Sequence, residues 1–165
     1  MRRHGIVLVI LTTALAGCHG TGSAGPQTPS DATPGVISLN VGDFTDTDQN
    51  RYRDTTTIIA YVYAASGAYP IPMRARGSFE FELQTSKGET LKRWDFDEKQ
   101  TAGAMHQMAP GPGFVFDLSL RGEDKIERSE AEVLCTFRPS GGTPLMARPS
   151  APVAIGPVTR PRIGG

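Results

Sequence analysis

The chain has 165 residues, with 17 basic and 17 acidic side chains. This length fits one domain with tails and excludes a multidomain enzyme. Because the net charge is zero, the composition gives no support for a nucleic-acid-binding protein. The 19 Gly and 13 Pro residues predict a large share of turns and linkers, while the hydrophobic content of 38% still allows a folded core.

The first 17 residues have the layout of a secretory signal peptide. Arg2 and Arg3 precede an apolar run from Gly5 to Ala16. This run is shorter than the roughly 20 apolar residues that span a bilayer. A charged start and a small-residue end are typical of a cleaved signal. The alternative is a buried N-terminal helix.

The apolar run ends in Leu15-Ala16-Gly17-Cys18, which resembles the lipobox of bacterial lipoprotein precursors. The resemblance implies that Cys18 carries a diacylglycerol on its sulfur, that residues 1–17 are removed and that the new amino terminus is acylated with a chain such as palmitate. Two or three acyl chains anchor a protein firmly, because each buried methylene contributes about 0.8 kcal/mol. The resemblance therefore implies a protein of the bacterial cell envelope, anchored to a membrane through Cys18.

The residue after the cysteine bears on which membrane this is. In lipoproteins of diderm bacteria, Asp at this position often signals retention at the inner membrane. His19 stands there instead. The resemblance thus favours the outer membrane, with the domain on the periplasmic or surface side.

Composition divides the remainder into three parts. Residues 18–35 form a tether rich in Gly, Pro, Ser and Thr with no apolar period. Residues 36–138 carry 12 basic and 16 acidic side chains and form the folded domain. Residues 139–165 contain six Pro and no acidic residue, which predicts a mobile, extended tail. The alternative is a final edge strand over Pro152 to Val158, with Val153 and Ile155 covering the core.

An apolar period of two recurs through the domain. It predicts strands near residues 37–41, 55–63, 79–84, 91–96, 114–120 and 129–137. Residues 73–76 are expected to add a short edge strand, and residues 97–108 have room for a turn of helix. Alternation buries one face of each strand, as in antiparallel sheets. The expected fold is all-β, a single antiparallel β-sandwich with flexible N- and C-terminal tails. Its pattern resembles immunoglobulin-like and transthyretin-like modules, although the Cys–Trp–Cys spacing of antibody domains is missing.

Oxygen-bearing side chains alternate between positions 46 and 54. The segment resembles the opening of calcium loops of the EF-hand and dockerin type, since hard cations bind several oxygens and a curling loop points alternate side chains inward. Two positions depart from the pattern: Arg51 stands where the turn usually has Gly, and Thr57 where a bidentate Glu would be. The alternative is a polar loop with local Asp and Asn turns. The resemblance implies calcium ligands from the side chains of Asp46, Asp48, Asn50 and Asp54 and from the carbonyl of Tyr52.

Other reactive groups have simpler structural interpretations. With Cys18 lipidated, Cys135 stands alone, in phase with the apolar side of its strand, and is expected to be a small buried hydrophobe. Glu80 and Glu82 share a strand face, which we interpret as solvated. His106 has no metal-ligand spacing around it.

Two tyrosines offer a binding surface. Tyr61 and Tyr63 lie on one face of a strand that is apolar on both faces. They are either packed in the core or exposed as a platform for sugar or peptide.

The sequence therefore predicts a non-enzymatic envelope lipoprotein whose domain has a structural or interaction role. Its expected partners are the membrane, through Cys18, and an envelope protein or polymer. The alternative is a calcium-stabilised, ligand-binding module that uses residues 46–54.

Overall fold

A computed structural model of the chain describes residues 32–67, 71–121 and 126–158. Within these ranges the fold is all-β with one short helix, as the sequence predicts. The elements are β1 (Pro34–Val41), β2 (Tyr52–Arg53), β3 (Thr55–Ala64), β4 (Gly77–Gln84), β5 (Thr90–Phe96), α1 (Glu98–Gly103), β6 (Met105–Met108), β7 (Gly111–Ser119), β8 (Glu130–Pro139), β9 (Leu145–Ala147), β10 (Val153–Ala154) and β11 (Gly156–Pro157).

The strands form two main antiparallel sheets. The first sheet has the order β1-β3-β7-β6, and the second has the order β10-β8-β4-β5, with β9 also paired to β8. A separate two-stranded sheet joins β2 to β11. Because each inward face is apolar, the two main sheets bury those faces against each other.

Phenylalanine rings fill the space between the sheets. Phe79 of β4 lies with its ring centroid 5.0 Å from that of Phe116 in β7 and 4.6 Å from that of Phe137 in β8. All three side chains are at most 2% exposed. Tilted ring pairs at these distances add about 0.5–1.5 kcal/mol each beyond the burial of area. The alternation that predicted β4, β7 and β8 therefore selects the residues of the core.

The helix carries the chain from the edge of the second sheet to the edge of the first. Asp97 caps its N-terminus: the Asp97 carboxylate accepts from the Gln100 backbone N–H at 2.7 Å, and the Gln100 side chain accepts from the Asp97 backbone N–H at 2.9 Å. This capping box satisfies two backbone donors and fixes where the helix begins. The predicted turn of helix between residues 97 and 108 is thus present, followed by β6.

The N-terminal boundary of the domain lies earlier than predicted. β1 begins at Pro34, which pairs with Ala64, so the last two residues of the predicted tether belong to a strand. Gly35 sits at an irregularity in that pairing. A Cβ on Gly35 would lie 2.3 Å from the Cα of Ala65, so glycine is needed for the close approach.

The C-terminal boundary differs more. Residues 139–158, predicted to start a mobile tail, contain β9, β10 and β11, and the buried side chains Val153 and Ile155 are 3% and 0% exposed. The fold therefore continues to Val158, and the edge-strand alternative describes this segment. Prolines divide it into strands of two or three residues, which are too short to show a period of two.

The predicted edge strand at residues 73–76 is absent. These residues form no strand, although the Met73 backbone N–H donates to the Val62 carbonyl at 2.8 Å. Pro72 packs against Gly111, whose Cβ would lie 3.0 Å from the proline Cδ. The segment therefore lies where β3 and β7 cease to pair with each other. It forms no continuous ladder of backbone hydrogen bonds with either strand.

Candidate functional site: the polar loop of residues 46–54

The loop of residues 46–54 is closed at its base by the preceding and following residues. The backbone N–H of Thr45 donates to the Thr55 carbonyl at 2.8 Å, and the N–H of Thr55 donates back at 3.2 Å. This bridge brings the first and last predicted calcium ligands to the same end of the loop. The sequence spacing alone could not establish this closure.

All four predicted side-chain ligands accept hydrogen bonds from the loop itself, Asp54 from Thr47. Asp48 accepts from the Asn50 backbone N–H at 3.2 Å and from its side-chain amide at 2.9 Å. Asn50 Oδ1 accepts from the Tyr52 backbone N–H at 2.8 Å, and Asp46 Oδ2 accepts from the Arg51 N–H at 2.9 Å. The bonds from the Asn50 N–H to Asp48 and from the Tyr52 N–H to Asn50 span two residues and are the local Asx turns of the alternative interpretation.

Two residues of the loop have a left-handed backbone. Gln49 has φ of 61° and Arg51 has φ of 72°. Left-handed backbone at residues with a Cβ costs roughly 1–2 kcal/mol each. Arg51 is the position at which calcium loops usually have Gly. The left-handed turn expected there is present, but Arg51 adopts it at a higher conformational cost than Gly would.

Asp54 is the most buried of the predicted ligands, at 3% exposure. Its Oδ1 accepts from the Thr47 hydroxyl at 2.8 Å and from the Thr47 N–H at 3.2 Å. Oδ2 lies 3.5 Å from Arg121 Nε and accepts no hydrogen bond from the described residues. Burial favours the protonated form, but the bonds from Thr47 and the Arg121 charge outweigh it and lower the pKa of Asp54. Asp54 therefore stays ionised inside the fold.

Thr47 and Arg121 are site residues that the sequence analysis missed. The Arg121 guanidinium also donates to the Thr47 hydroxyl at 2.6 Å, across 74 positions of sequence. No local pattern connects them, because the contact depends on how the end of β7 lies beside the loop.

Asp46 has a second carboxylate oxygen, Oδ1, that is buried without a hydrogen-bond donor among the described residues. It and Asp54 Oδ2 are the two buried side-chain oxygens of this kind in residues 32–67, 71–121 and 126–158. A buried carboxylate oxygen without a donor is costly unless a cation completes it. In the same ranges, however, no three His, Cys, Asp or Glu side chains are grouped to hold a metal ion. The calcium site stays a prediction.

The loop is held from outside by the C-terminal segment. In the small sheet, Tyr52 and Arg53 pair with Pro157 and Gly156. Just beyond it, the Val158 N–H donates to the Arg51 carbonyl at 2.8 Å. The last described strand thus fixes the backbone of the loop, including the residue whose carbonyl was predicted as a ligand.

The carboxylate pair on β4 departs from its predicted solvation. Glu82 is 8% exposed and accepts from Gln84 Nε2 at 2.7 Å, Thr90 Oγ1 at 2.8 Å and Arg93 at 2.6 Å. These hydrogen bonds lower its pKa to about 2, against the effect of burial. The solvated interpretation is wrong for Glu82, because Gln84 of β4 and Thr90 and Arg93 of β5 surround its carboxylate. A carboxylate held in this way does not serve as a proton donor near neutral pH.

Cys135 occupies the position that its strand predicts. It is 0% exposed and pairs across the sheet with Ala147 of β9. Burial raises the pKa of its thiol to about 12, so the thiolate is suppressed. The interpretation of Cys135 as a buried hydrophobe is confirmed.

The tyrosine face of β3 is partly exposed. β3 is a central strand, but only its inward side is buried, and Tyr61 and Tyr63 are half-buried on the outward side. The Tyr61 ring lies over Gly113 of β7, where an added Cβ would be 2.8 Å from Cε1. Core packing is therefore wrong for these two rings, and a platform for sugar or peptide stays a prediction. His106 is exposed on β6, which pairs with β7.

The lipobox lies outside the described residues, so the structure says nothing of Cys18. Within the described ranges no helix is long and apolar enough to cross a membrane. Compared with protein families, curated proteins and solved structures, the chain matches none of them. The finer resemblance to immunoglobulin-like or transthyretin-like sandwiches therefore stays a prediction.

Proposed function

We propose that this chain is a bacterial envelope lipoprotein: Cys18 carries the lipid, and the β-sandwich is a non-catalytic module with a structural or interaction role. The observation that carries the proposal is Leu15-Ala16-Gly17-Cys18 directly after a charged and apolar leader. If the leader instead formed a buried helix, nothing would explain why small residues directly precede Cys18.

The segment between Cys18 and the domain supports a tethered role. Between Cys18 and the start of β1 lie residues 19–33, which are rich in Gly, Pro, Ser and Thr. Fully extended, 15 residues reach at most roughly 50 Å. The tether is thus long enough to hold the sandwich clear of lipid head groups and short enough to keep it near one membrane.

The titrating groups of the sandwich support a non-catalytic role. Burial suppresses the thiolate of Cys135, while hydrogen bonds hold Glu82 and Asp54 as carboxylates. Catalytic acids, bases and nucleophiles usually have pKa values moved toward the working pH. The pKa shifts of these three groups go away from neutrality, as is expected of groups with a structural role.

Metabolic labelling with a palmitate analogue tests the anchor. Cys18→Ser should abolish labelling and leave residues 1–17 attached, because the thioether needs the sulfur. Cys135→Ser is the matched control and should label like the wild type, since that thiol is buried. Equal labelling of wild type and Cys18→Ser would refute the proposal.

A second candidate function, calcium binding by the 46–54 loop, is favoured by the buried oxygens Asp46 Oδ1 and Asp54 Oδ2. A cation would supply the partner that Asp46 Oδ1 lacks and would compete with Arg121 for Asp54 Oδ2. Asp48 and Asn50 would have to exchange their internal hydrogen bonds for the metal. Binding at 100 times the dissociation constant adds about 2.7 kcal/mol, which raises the melting temperature by several degrees.

Thermal melting of the full chain in detergent micelles, with and without millimolar calcium, decides this candidate. Asp48→Ala should abolish the rise in melting temperature. Asp95→Ala, an exposed carboxylate on β5, is the control and should retain it. No rise in the wild type would reject the calcium site.

A further inference from the structure

A groove opens at one end of the sandwich. It is lined by residues 71–77 on the way into β4, by α1 and β6, and by the turns at residues 110–112 and 139–141. The lining is mainly apolar, with Met73 and Met105 and five proline rings: Pro34, Pro72, Pro110, Pro112 and Pro139. None of these residues belongs to the 46–54 loop or to the tyrosine face of β3.

The charge of the groove is opposite to that of the domain. Residues 36–138 carry 12 basic and 16 acidic side chains. Of the charged residues among them that line the groove, Arg74, Arg76 and Lys99 are basic and Glu98 is acidic. All four are exposed, and none makes an ion pair with another described residue. This cationic rim on an acidic domain is complementary to an anionic occupant.

Some backbone groups at the groove have no hydrogen-bond partner among the described residues. β6 is the last strand of the first sheet and pairs only with β7 among the described strands. Arg74 and Ala75, which line the same groove, make no backbone hydrogen bond within the described residues. A free strand edge beside unpaired donors and acceptors is the surface to which an extended peptide adds its main chain.

The lining distinguishes a peptide from a sugar polymer. Phe114 is the aromatic side chain among the described lining residues, and it is 0% exposed. The groove therefore presents no ring for stacking on a sugar, whereas proline rings and methionine thioethers are suited to aliphatic side chains.

We propose that this groove binds an extended acidic peptide segment of a partner protein. Its main chain adds to the edge of β6, its aliphatic side chains contact the partly exposed Met105 and Pro112, and its carboxylates face Arg74, Arg76 and Lys99. This deepens the interaction role proposed above and rests on it.

Binding of short peptides to the full chain in detergent micelles tests the proposal by fluorescence anisotropy. The probe is a labelled 12-residue peptide of alternating Glu and Val, and the comparison peptide alternates Lys and Val. We expect binding of the acidic peptide alone, weakening with added salt because exposed charges are screened. The double variant Arg74→Glu/Arg76→Glu should weaken binding at least tenfold, and Arg74→Lys/Arg76→Lys should retain most of it.

The matched control is Lys87→Glu/Arg128→Glu, which reverses two exposed charges outside the groove. It should bind like the wild type, and equal melting temperatures should show that both double variants fold. Absent binding, equal binding of the basic peptide, or no effect of reversing Arg74 and Arg76 would overturn the proposal. Displacement of the peptide by dextran sulfate at lower concentration than by unlabelled peptide would overturn it in favour of an anionic polymer.

The intact mass of the same preparation separates this proposal from the anchor. A lipidated protein that binds no peptide refutes the groove alone. An unlipidated protein that binds refutes the anchor alone.

Discussion

The two outward faces of the sandwich arise from the same alternation of side chains, but different kinds of side chain cover them. On the second sheet, Glu82 lies under Arg93, and Arg148 donates to Glu132 at 2.7 Å. On the first sheet, the outward side of β3 presents the half-buried Tyr61 and Tyr63. Alternation thus decides which residues point outward, while the neighbouring strands decide whether water reaches them. The outward face of the first sheet is therefore accessible for contact, whereas charged side chains cover the outward face of the second sheet.

The largest expected effect comes from removing the C-terminal strands that flank the second face. A chain that ends at Ser140 loses β9, β10 and β11, the cation Arg148 and the buried side chains of Val153 and Ile155. Each of the two aliphatic residues contributes about 1.5–3 kcal/mol, and the lost pairing adds to this. We expect destabilisation of about 5 kcal/mol or more, close to the whole stability of a small domain.

Urea unfolding followed by the fluorescence of Trp94 measures this loss. The Trp94 indole N–H donates to the Ser119 carbonyl at 3.1 Å, so it joins β5 to β7 and reports on both sheets. A chain that ends at Val158 is the control and should unfold like the full chain. A cooperative transition of unchanged midpoint after truncation at Ser140 would show that the strands add nothing.

Neutralising Glu82 should weaken the hydrogen-bonded cluster of side chains that covers the outward face of the second sheet. Glu82→Gln removes the charge that accepts from Gln84, Thr90 and Arg93, and we expect a loss of roughly 2–3 kcal/mol, reduced by the exposure of Arg93 to solvent. Glu80→Gln is the matched control on the same strand, because its closest arginine nitrogen is 3.4 Å away and exposed. It should cost less than about 1 kcal/mol. Equal losses in urea unfolding would contradict the distinction between the two carboxylates.

Acid should weaken the second face first. Because the pKa of Glu82 is about 2 in the fold and near 4.5 when unfolded, its contribution is complete above pH 4.5 and is lost as the pH falls toward 2. The pKa of Asp54 is also lowered, which adds to the loss in the same direction. Stability measured between pH 6 and 2 should fall in the wild type. The fall should be shallower in Glu82→Gln; parallel curves would disprove the assignment to Glu82.

The smallest effect is expected on the open face. Gly113→Ala places a Cβ 2.8 Å from Tyr61 Cε1 and 3.3 Å from Met108 Cγ, so the ring must shift. We expect about 1 kcal/mol of destabilisation. In a Tyr61→Ala background the same change should cost close to nothing, because the obstructing ring is gone. Unfolding of the four proteins of this cycle measures the coupling; strict additivity would place the ring elsewhere.

The sequence was sufficient for the long strands because each carries several apolar residues in phase. It failed where strands are short: β9, β10 and β11 have two or three residues each, and no period can be recognised in them. It also failed at Glu82, since burial on an outward face depends on side chains from other strands. In the 46–54 loop, the spacing predicted which side chains could supply oxygen ligands. The contact of Asp54 with Arg121 came only from the fold.

The position of β10 has a consequence for when the domain can fold. The Ala154 N–H donates to the Asp43 carboxylate at 2.9 Å, the Ala154 carbonyl accepts from the Phe44 N–H at 3.1 Å, and Val153 pairs with Ala131 of β8. One short strand near the C-terminus thus joins the segment after β1 to the second sheet, across 111 positions of sequence. Contacts of such separation form late. A chain that emerges N-terminus first, from a ribosome or through a membrane, therefore cannot complete its fold until Ala154 has emerged.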